Sequence, residues 1–327
     1  MMTMKIMGDN NMVDIIQTNN NSGKNGIRAL WALSIRNLRI YFRDYMTIFY
    51  SLLSMFITVG LMVFFLGDAN ASSITSILSA FPGRDTAADE ANAMLLVLVW
   101  TGGGIISINA VTVTLACFST MIEDRRQKRL NAIYTAPVKR GIISLSYILY
   151  AWVASVLICI VTLAVFEIIA AGKGLPVFSL AVHLKLLGLI CVNSWAFSAL
   201  MFLLSLLVKT GGAWGAIGTV VGTLVGFFGG IYFPLGALGE GIQKVIKCVP
   251  VIYSASAFRQ VMMEDIMATT FDGLPEMVSE EVSKTMGISL TVFDHTLSIG
   301  TEMLIVGLFG VVCMMVSAFV LNHQREQ

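Results

Sequence analysis

The sequence predicts an all-α membrane protein, and three observations predict it. Of 327 residues, 56% are hydrophobic and only 13% charged, with a mean hydropathy of +0.80, far from the balance of a soluble domain. The charged residues leave six long gaps, at 45 to 67, 91 to 122, 141 to 166, 186 to 208, 210 to 239 and 303 to 324. Each can hold the ~20 apolar residues that a helix needs to cross about 30 Å of hydrocarbon. Finally, the loop charges are asymmetric. Six spans put both chain ends on one side, which carries 14 of the 21 Lys and Arg but only 6 of the 20 Asp and Glu. The positive-inside rule places that side, and both termini, in the cytoplasm.

Composition also excludes functions. Near-zero net charge argues against nucleic-acid binding. Cys117, Cys159, Cys191, Cys248 and Cys313 form no short-spaced pair, so neither a zinc site nor a disulfide framework is indicated. His183, His295 and His323 are too scattered for a metal cluster, and no His/Asp/Glu pair sits at membrane depth to act as acid and base. The chain contains no Gly-x4-Gly-Lys-Ser/Thr phosphate loop. We therefore assign no catalytic residue and no metal.

The elements follow in order. Residues 1–23 are polar and Met/Asn-rich and read as a disordered cytoplasmic tail without a signal peptide. Residues 24–44 have helical period. Lys24, Arg28, Arg36, Arg39 and Arg43 share one narrow arc, and Ile27, Leu30, Trp31, Leu38 and Tyr41 occupy the other side. Such an amphipathic helix lies flat at the inner membrane surface. A six-span domain occupies 45–322, with spans at about 45–66, 94–120, 141–166, 186–208, 210–234 and 303–322. Between the second and third spans, residues 123–140 are strongly basic. Leu130, Ile133 and Tyr134 recur at helical spacing before Pro137 stops the run, which gives a short amphipathic helix among cations, able to dock a partner.

The fifth span carries Gly218, Gly222, Gly226 and Gly230 at a strict four-residue step, a surface on which another helix can approach closely, within the protomer or from a second copy. Pro234 and Gly236 break this helix near the outer face. The outer segment, 235–302, opens with an amphipathic stretch that Glu240, Lys244 and Lys247 prevent from being a seventh span. It continues with PEMVSEEVSKTM, one amphipathic helix with Met277 and Val278 near Val282, read as a solvated lid. Gly102, Gly103 and Gly104 in the second span mark either a bend or a close helix contact. No charge falls in the middle of a span, and Glu167 and Glu302 fall near outer ends, in reach of water. Any transport route is then lined by aromatic and small polar groups. Candidates are Trp100, Thr101, Ser107, Asn109 and Thr112 in the second span and Trp214, Thr219, Thr223, Phe227 and Phe228 in the fifth, a lining suited to an amphipathic or hydrophobic cargo.

Two runs of residues carry a resemblance to a known family. In the loop, Glu123, Asp124, Arg125, Leu130, Ile133, Tyr134, Pro137 and Arg140 resemble the cytoplasmic loop of type-2 ATP-binding-cassette exporter permeases, particularly the daunorubicin-resistance-like drug-export branch. The chain departs at Lys128, where the family commonly has Gly. The second run, Gly229, Gly230, Phe233, Pro234, Pro250 and Arg259, matches the family's Gly-x-x-Phe-Pro layout with a later Pro and Arg, although Gly239 stands where a second Pro is common. The likeness covers roughly residues 28 to 322. It implies a half-transporter permease whose loop 123–140 contacts a separate ATPase and whose segment after the fifth span re-enters the outer leaflet. It further implies a second permease copy or paralogue, two ATPase subunits that hold ATP and Mg, and residence in a plasma membrane of bacterial type. The expected function is export of a drug-like, antibiotic, peptide or lipid-like compound. A glycan-exporting permease of the same family, or a stand-alone secondary transporter or channel, is the alternative.

Overall fold

The computed structural model describes residues 26–61, 67–135, 138–208, 210–292 and 295–323. The expected tail at 1–23, the end of the first expected span and Pro137 lie outside the described residues. Twelve helices are described: α1 (26–43), α2 (Tyr45–Leu61), α3 (Gly67–Leu78), α4 (Thr86–Arg126), α5 (Arg129–Tyr134), α6 (Arg140–Gly172), α7 (Leu180–Leu207), α8 (Gly211–Phe228), α9 (Glu240–Lys247), α10 (Pro250–Thr270), α11 (Glu276–Met286) and α12 (Ile299–His323). A two-residue hairpin pairs Thr291 with Thr296 and Val292 with His295.

Five helices, α4, α6, α7, α8 and α12, are long and apolar enough to cross a membrane. The described part of the first expected span, α2, is 17 residues, short of the ~20 a crossing needs. The other five spans fall where the charge gaps put them, with altered ends. α4 outruns its expected span at both ends: 41 residues make a rod of about 60 Å, twice the hydrocarbon thickness. Asp85 caps its first turn by accepting from the Ala87 and Ala88 amides. α8 stops at Phe228, before the expected end at 234, because Gly229 and Gly230 break it and Pro234 only precedes a 3-10 turn at Leu235–Ala237. Gly230 takes φ +59°, the left-handed region that glycine enters without penalty.

α4 is the hub. It packs against α2, α3, α6, α7, α8 and α10, and its middle is buried on all sides. Polar groups buried there are paired across helices. Asn109 Nδ2 donates to Thr162 Oγ1 on α6 (2.7 Å), Asn193 Nδ2 on α7 donates to Ser107 O (3.1 Å), and Tyr150 donates to Cys117 O. In an apolar medium each such bond avoids a desolvation cost of about 1–3 kcal/mol. α12 packs mainly on α7, where Gly310 lets Trp195 and the Ala196 backbone come close.

The contacts of α10 fix its height along α4. Near its start, Val251 O and Ser254 Oγ meet Ser107 Oγ; further on, Arg259 meets Gly103; at its last residue and just beyond, Thr270 O and Asp272 O accept from Arg84, just before α4 begins. α10 therefore starts halfway along α4 and climbs to the α4 amino terminus. The α8 end lies at the same half height, where Gly229 abuts Ile108. We call the end of the molecule holding α3, α11 and the α4 amino terminus distal, and the end holding α1 and α5 proximal.

α11 differs from a solvated lid. Its Val282 and Met286 are buried, Met286 O accepts from Trp100 Nε1 (2.7 Å), and Thr285 packs on Gly236. Met277, expected on the packed face, is 79% exposed.

Candidate functional site

At the proximal end α4 finishes in Glu123, Asp124, Arg125 and Arg126, and its successor α5 leaves at an angle. The turn is made by Gln127 and Lys128, and Lys128 is the one described non-glycine residue with positive φ, at +58°. A side chain in that region costs about 1 kcal/mol, which glycine would avoid. The glycine that the resemblance leads one to expect at this position would enter such a backbone without that cost.

Asp124 is 1% exposed and is the centre of the site. Arg36 on α1 forks onto both its oxygens, Nη1 to Oδ2 at 2.9 Å and Nη2 to Oδ1 at 3.0 Å. Tyr147 on α6 donates to Oδ2 at 2.7 Å, and Arg129 on α5 lies 3.5 Å from Oδ1. One carboxylate thereby ties four helices together. The fork is the charge-assisted, bidentate geometry that guanidinium and carboxylate share, and the bonds from Asp124 raise the Arg36 pKa above its ordinary value. Arg125 turns the other way and donates from Nη1 to Ser205 O (3.0 Å) and Val208 O (2.7 Å), the last carbonyls of α7, where a cation complements the helix dipole. Leu130 is buried and Ile133 partly buried beneath the turn. What faces outward is a basic tip: Arg126, paired with Glu123 at 2.6 Å, then Gln127, Lys128 and Arg129, with Lys139 and Arg140 exposed nearby.

The sequence pattern did not pair Arg36 with Asp124, and it placed Tyr41 on the apolar side of a helix lying at the membrane surface. In the structure α1 turns Ser34, Asn37 and Tyr41 into the protein, and Ile27, Trp31 and Ile35 form its exposed apolar stripe. The three-residue and four-residue spacing of Ser34, Asn37 and Tyr41 was the available signal.

The second expected cluster comes together around Arg259, which is fully buried. Its Nε donates to Trp100 O (3.2 Å), its Nη2 to Gly229 O (3.0 Å) and Gly230 O (2.8 Å), and its guanidinium stacks 4.5 Å from the Trp100 ring. The two glycine carbonyls lie at the end of α8, so the arginine satisfies a broken helix end and fastens it to α4 and α10. The triple glycine makes room for this. A Cβ on Gly103 would sit 3.0 Å from Arg259 Cγ, one on Gly104 2.8 Å from Ile231, and one on Gly102 2.4 Å from the Phe166 ring. Of the two readings of that triplet, the close contact holds. Pro250 occupies the first turn of α10, where a missing amide costs nothing, and Phe233 is exposed.

Two expected groupings come apart. Gly226 is packed by Tyr232 and Gly230 belongs to the Arg259 turn, whereas Gly222 meets nothing and Gly218 only Leu115. The open small-residue face instead runs through Gly211, Gly215 and Gly222. Trp100, Thr101, Ser107 and Asn109 are buried among helices, as is Trp214, and Thr101 borders a small cavity with Gly67, Leu98 and Lys173; Thr219, Thr223 and Phe227 lie on the open α8 face and Phe228 is half-buried. Glu302, expected within reach of water, is fully buried.

A bundle of long apolar helices around α4, with a stapled basic turn at one end, is that of a polytopic membrane transport component. More particularly, the chain belongs to the ABC-2 transporter family: residues 91–319, from α4 to α12, match the family described as ABC-2 family transporter protein. It is accordingly a membrane permease subunit of an ABC transporter, a family that works with an ABC ATPase. No curated protein matches the chain. α1, α2 and α3, and with them Arg36, lie outside the matched residues.

Proposed function

We propose that this permease drives export of an amphipathic or hydrophobic compound from the cytoplasmic side, powered by two ATPase subunits that bind ATP and Mg and dock on the turn between α4 and α5. The observation that carries this reading is the construction of that turn. Its outward surface is cationic and exposed, while Asp124 and Arg125 bind it inward to α1, α5, α6 and α7. A push on the tip then moves α4 as a unit, since the helix has no interruption between Thr86 and Arg126. In this reading the sequence-predicted docking residues divide: Glu123 with the basic tip meets the partner, and Asp124 and Arg125 pass the force on. The proximal end faces the cytoplasm, and α9 and α10 re-enter the outer leaflet, as the start of α10 at half the height of α4 supports.

A second copy of the permease faces the open side of α8, where Gly211, Gly215, Gly222, Thr219 and Thr223 would let helices meet closely and Val220 and Phe227 would contact cargo. The test is charge reversal at the tip. Arg126→Glu with Lys128→Glu should abolish co-purification with the ATPase and its stimulation by the permease, without moving the permease's melting temperature. Unchanged ATPase stimulation overturns the docking role. In vesicles, uptake that persists without ATP and collapses with an ion gradient would instead select a secondary carrier.

A further inference from the structure

Glu302 occupies the first turns of α12, is 0% exposed, and has no Lys or Arg within ion-pair distance among the described residues. Its surroundings can be counted proton by proton. Ser256 Oγ on α10 lies 2.7 Å from Glu302 Oε1 and 2.8 Å from Ile288 O, the carbonyl just after α11. A hydroxyl has one proton to donate and two lone pairs to accept with, and a carbonyl can only accept. Ile288 O has no other donor among the described residues, so the serine proton is needed there. That leaves the 2.7 Å contact between Ser256 Oγ and Glu302 Oε1 without a proton unless the carboxyl group supplies it. Gln260 completes the set. Its Nε2 lies 3.2 Å from Ser256 Oγ and 3.0 Å from Glu302 Oε2, and an amide nitrogen has two protons for these two acceptors.

We propose that Glu302 is a proton-binding site, held as a neutral carboxylic acid that donates to Ser256, and that this proton latches α12, α10 and the segment after α11 together. Every donor and acceptor is then satisfied: Glu302 to Ser256, Ser256 to Ile288 O, and Gln260 to both Ser256 and Glu302. With the proton gone, either Ile288 O or Glu302 Oε1 is left without a donor in a buried place, which is where unpaired polar groups cost most. Other ionisable groups on the neighbouring helices are engaged elsewhere. Tyr253 donates to Lys247 O, Arg259 to the carbonyls of Trp100, Gly229 and Gly230, His183 pairs with Glu167, and Lys185 lies 4.0 Å from Glu264. The site is buried within one protomer, so it is independent of cargo, ATPase and any second copy.

The test uses the full chain in lipid nanodiscs. Infrared difference spectra should contain a carboxylic-acid C=O band at neutral pH that disappears in Glu302→Gln and shifts in Ser256→Ala, where its acceptor is lost. Glutamine keeps the donor and acceptor pattern, so Glu302→Gln should melt at the wild-type temperature. In alkali the wild type should lose amide-exchange protection at Met286 to Leu290, and Glu302→Gln should keep it. The absence of an acid band assignable to Glu302 overturns the proposal. So does a Glu302→Gln chain that fails to fold, since that outcome means the charged carboxylate is required.

Discussion

The ends of α4 and its interior are fastened by different electrostatics, and at the distal tip Arg84 forks onto Asp89 (2.7 and 2.8 Å) as Arg36 forks onto Asp124 at the other end. At the proximal end a buried carboxylate gathers two guanidinium groups and a phenol, one of the arginines being a third exposed. In the interior between those ends the Arg259 guanidinium gathers only carbonyls and an aromatic ring, and the Glu302 carboxyl group gathers only a hydroxyl and an amide. The contrast follows distance from water. At the ends the pairs keep one partly hydrated partner, Arg36 being 33% exposed and Arg84 19%, so dissolved salt can reach them. In the interior fixed dipoles replace water, and the Arg259 joint is rigid because its hydrogen-bond partners are backbone carbonyls.

Substitutions can break or sharpen this contrast. The largest effect is expected for Asp124→Ala, which strands the Arg36 guanidinium and the Tyr147 hydroxyl together. Breaking a buried pair costs about 3–5 kcal/mol, the lower end applying because Arg36 is partly hydrated. Thermal unfolding in detergent should show the drop, and high salt should narrow the gap to wild type as screening weakens the native pair. Next comes Arg259→Lys. It keeps the charge but loses the planar fork, and should cost about 2 kcal/mol with no salt dependence. Equal salt sensitivity in the two variants would erase the distinction between end and interior.

Gly102→Ala should follow, at about 1–3 kcal/mol, because its methyl would stand 2.4 Å from the Phe166 ring. Gly215→Ala, where nothing stands within 4 Å, should leave the single protomer unchanged or stabilise it by up to about 1 kcal/mol. Loss of activity in Gly215→Ala with an unaltered melt would place a second helix on that face. Smallest is Lys128→Gly, a stabilisation of about 1 kcal/mol or less from relief of the left-handed residue. A lower melting temperature would mean that the lysine side chain makes contacts outweighing its backbone cost.

Much of this could be read from the chain alone. The five membrane-length helices follow from gaps in charge, because no folded context can hide a run of 20 apolar residues from the bilayer. The gathering of Gly229, Gly230 and Arg259 was anticipated only as a motif; that the arginine closes α8 was not, since periodicity says nothing about which carbonyls a helix leaves open. Asp124 was singled out, but for contact outward, while its true neighbour Arg36 lies 88 residues away and could be paired with it only in three dimensions. Glu302 was misjudged for a related reason. Position near the end of a span suggests water, but α10 and the segment after α11 cover that end, and this cover comes from residues remote in sequence.

The family match begins at residue 91, so Arg36 comes from outside the shared region while Asp124 comes from within it. A chimera that joined residues 91–319 to some other amino-terminal segment would keep Tyr147 and Arg129 on Asp124 but lose the guanidinium fork on that buried anion. Compatibility of the grafted segment would be decided by whether it brings a guanidinium to the same spot, and a single arginine introduced there should rescue an otherwise failing hybrid.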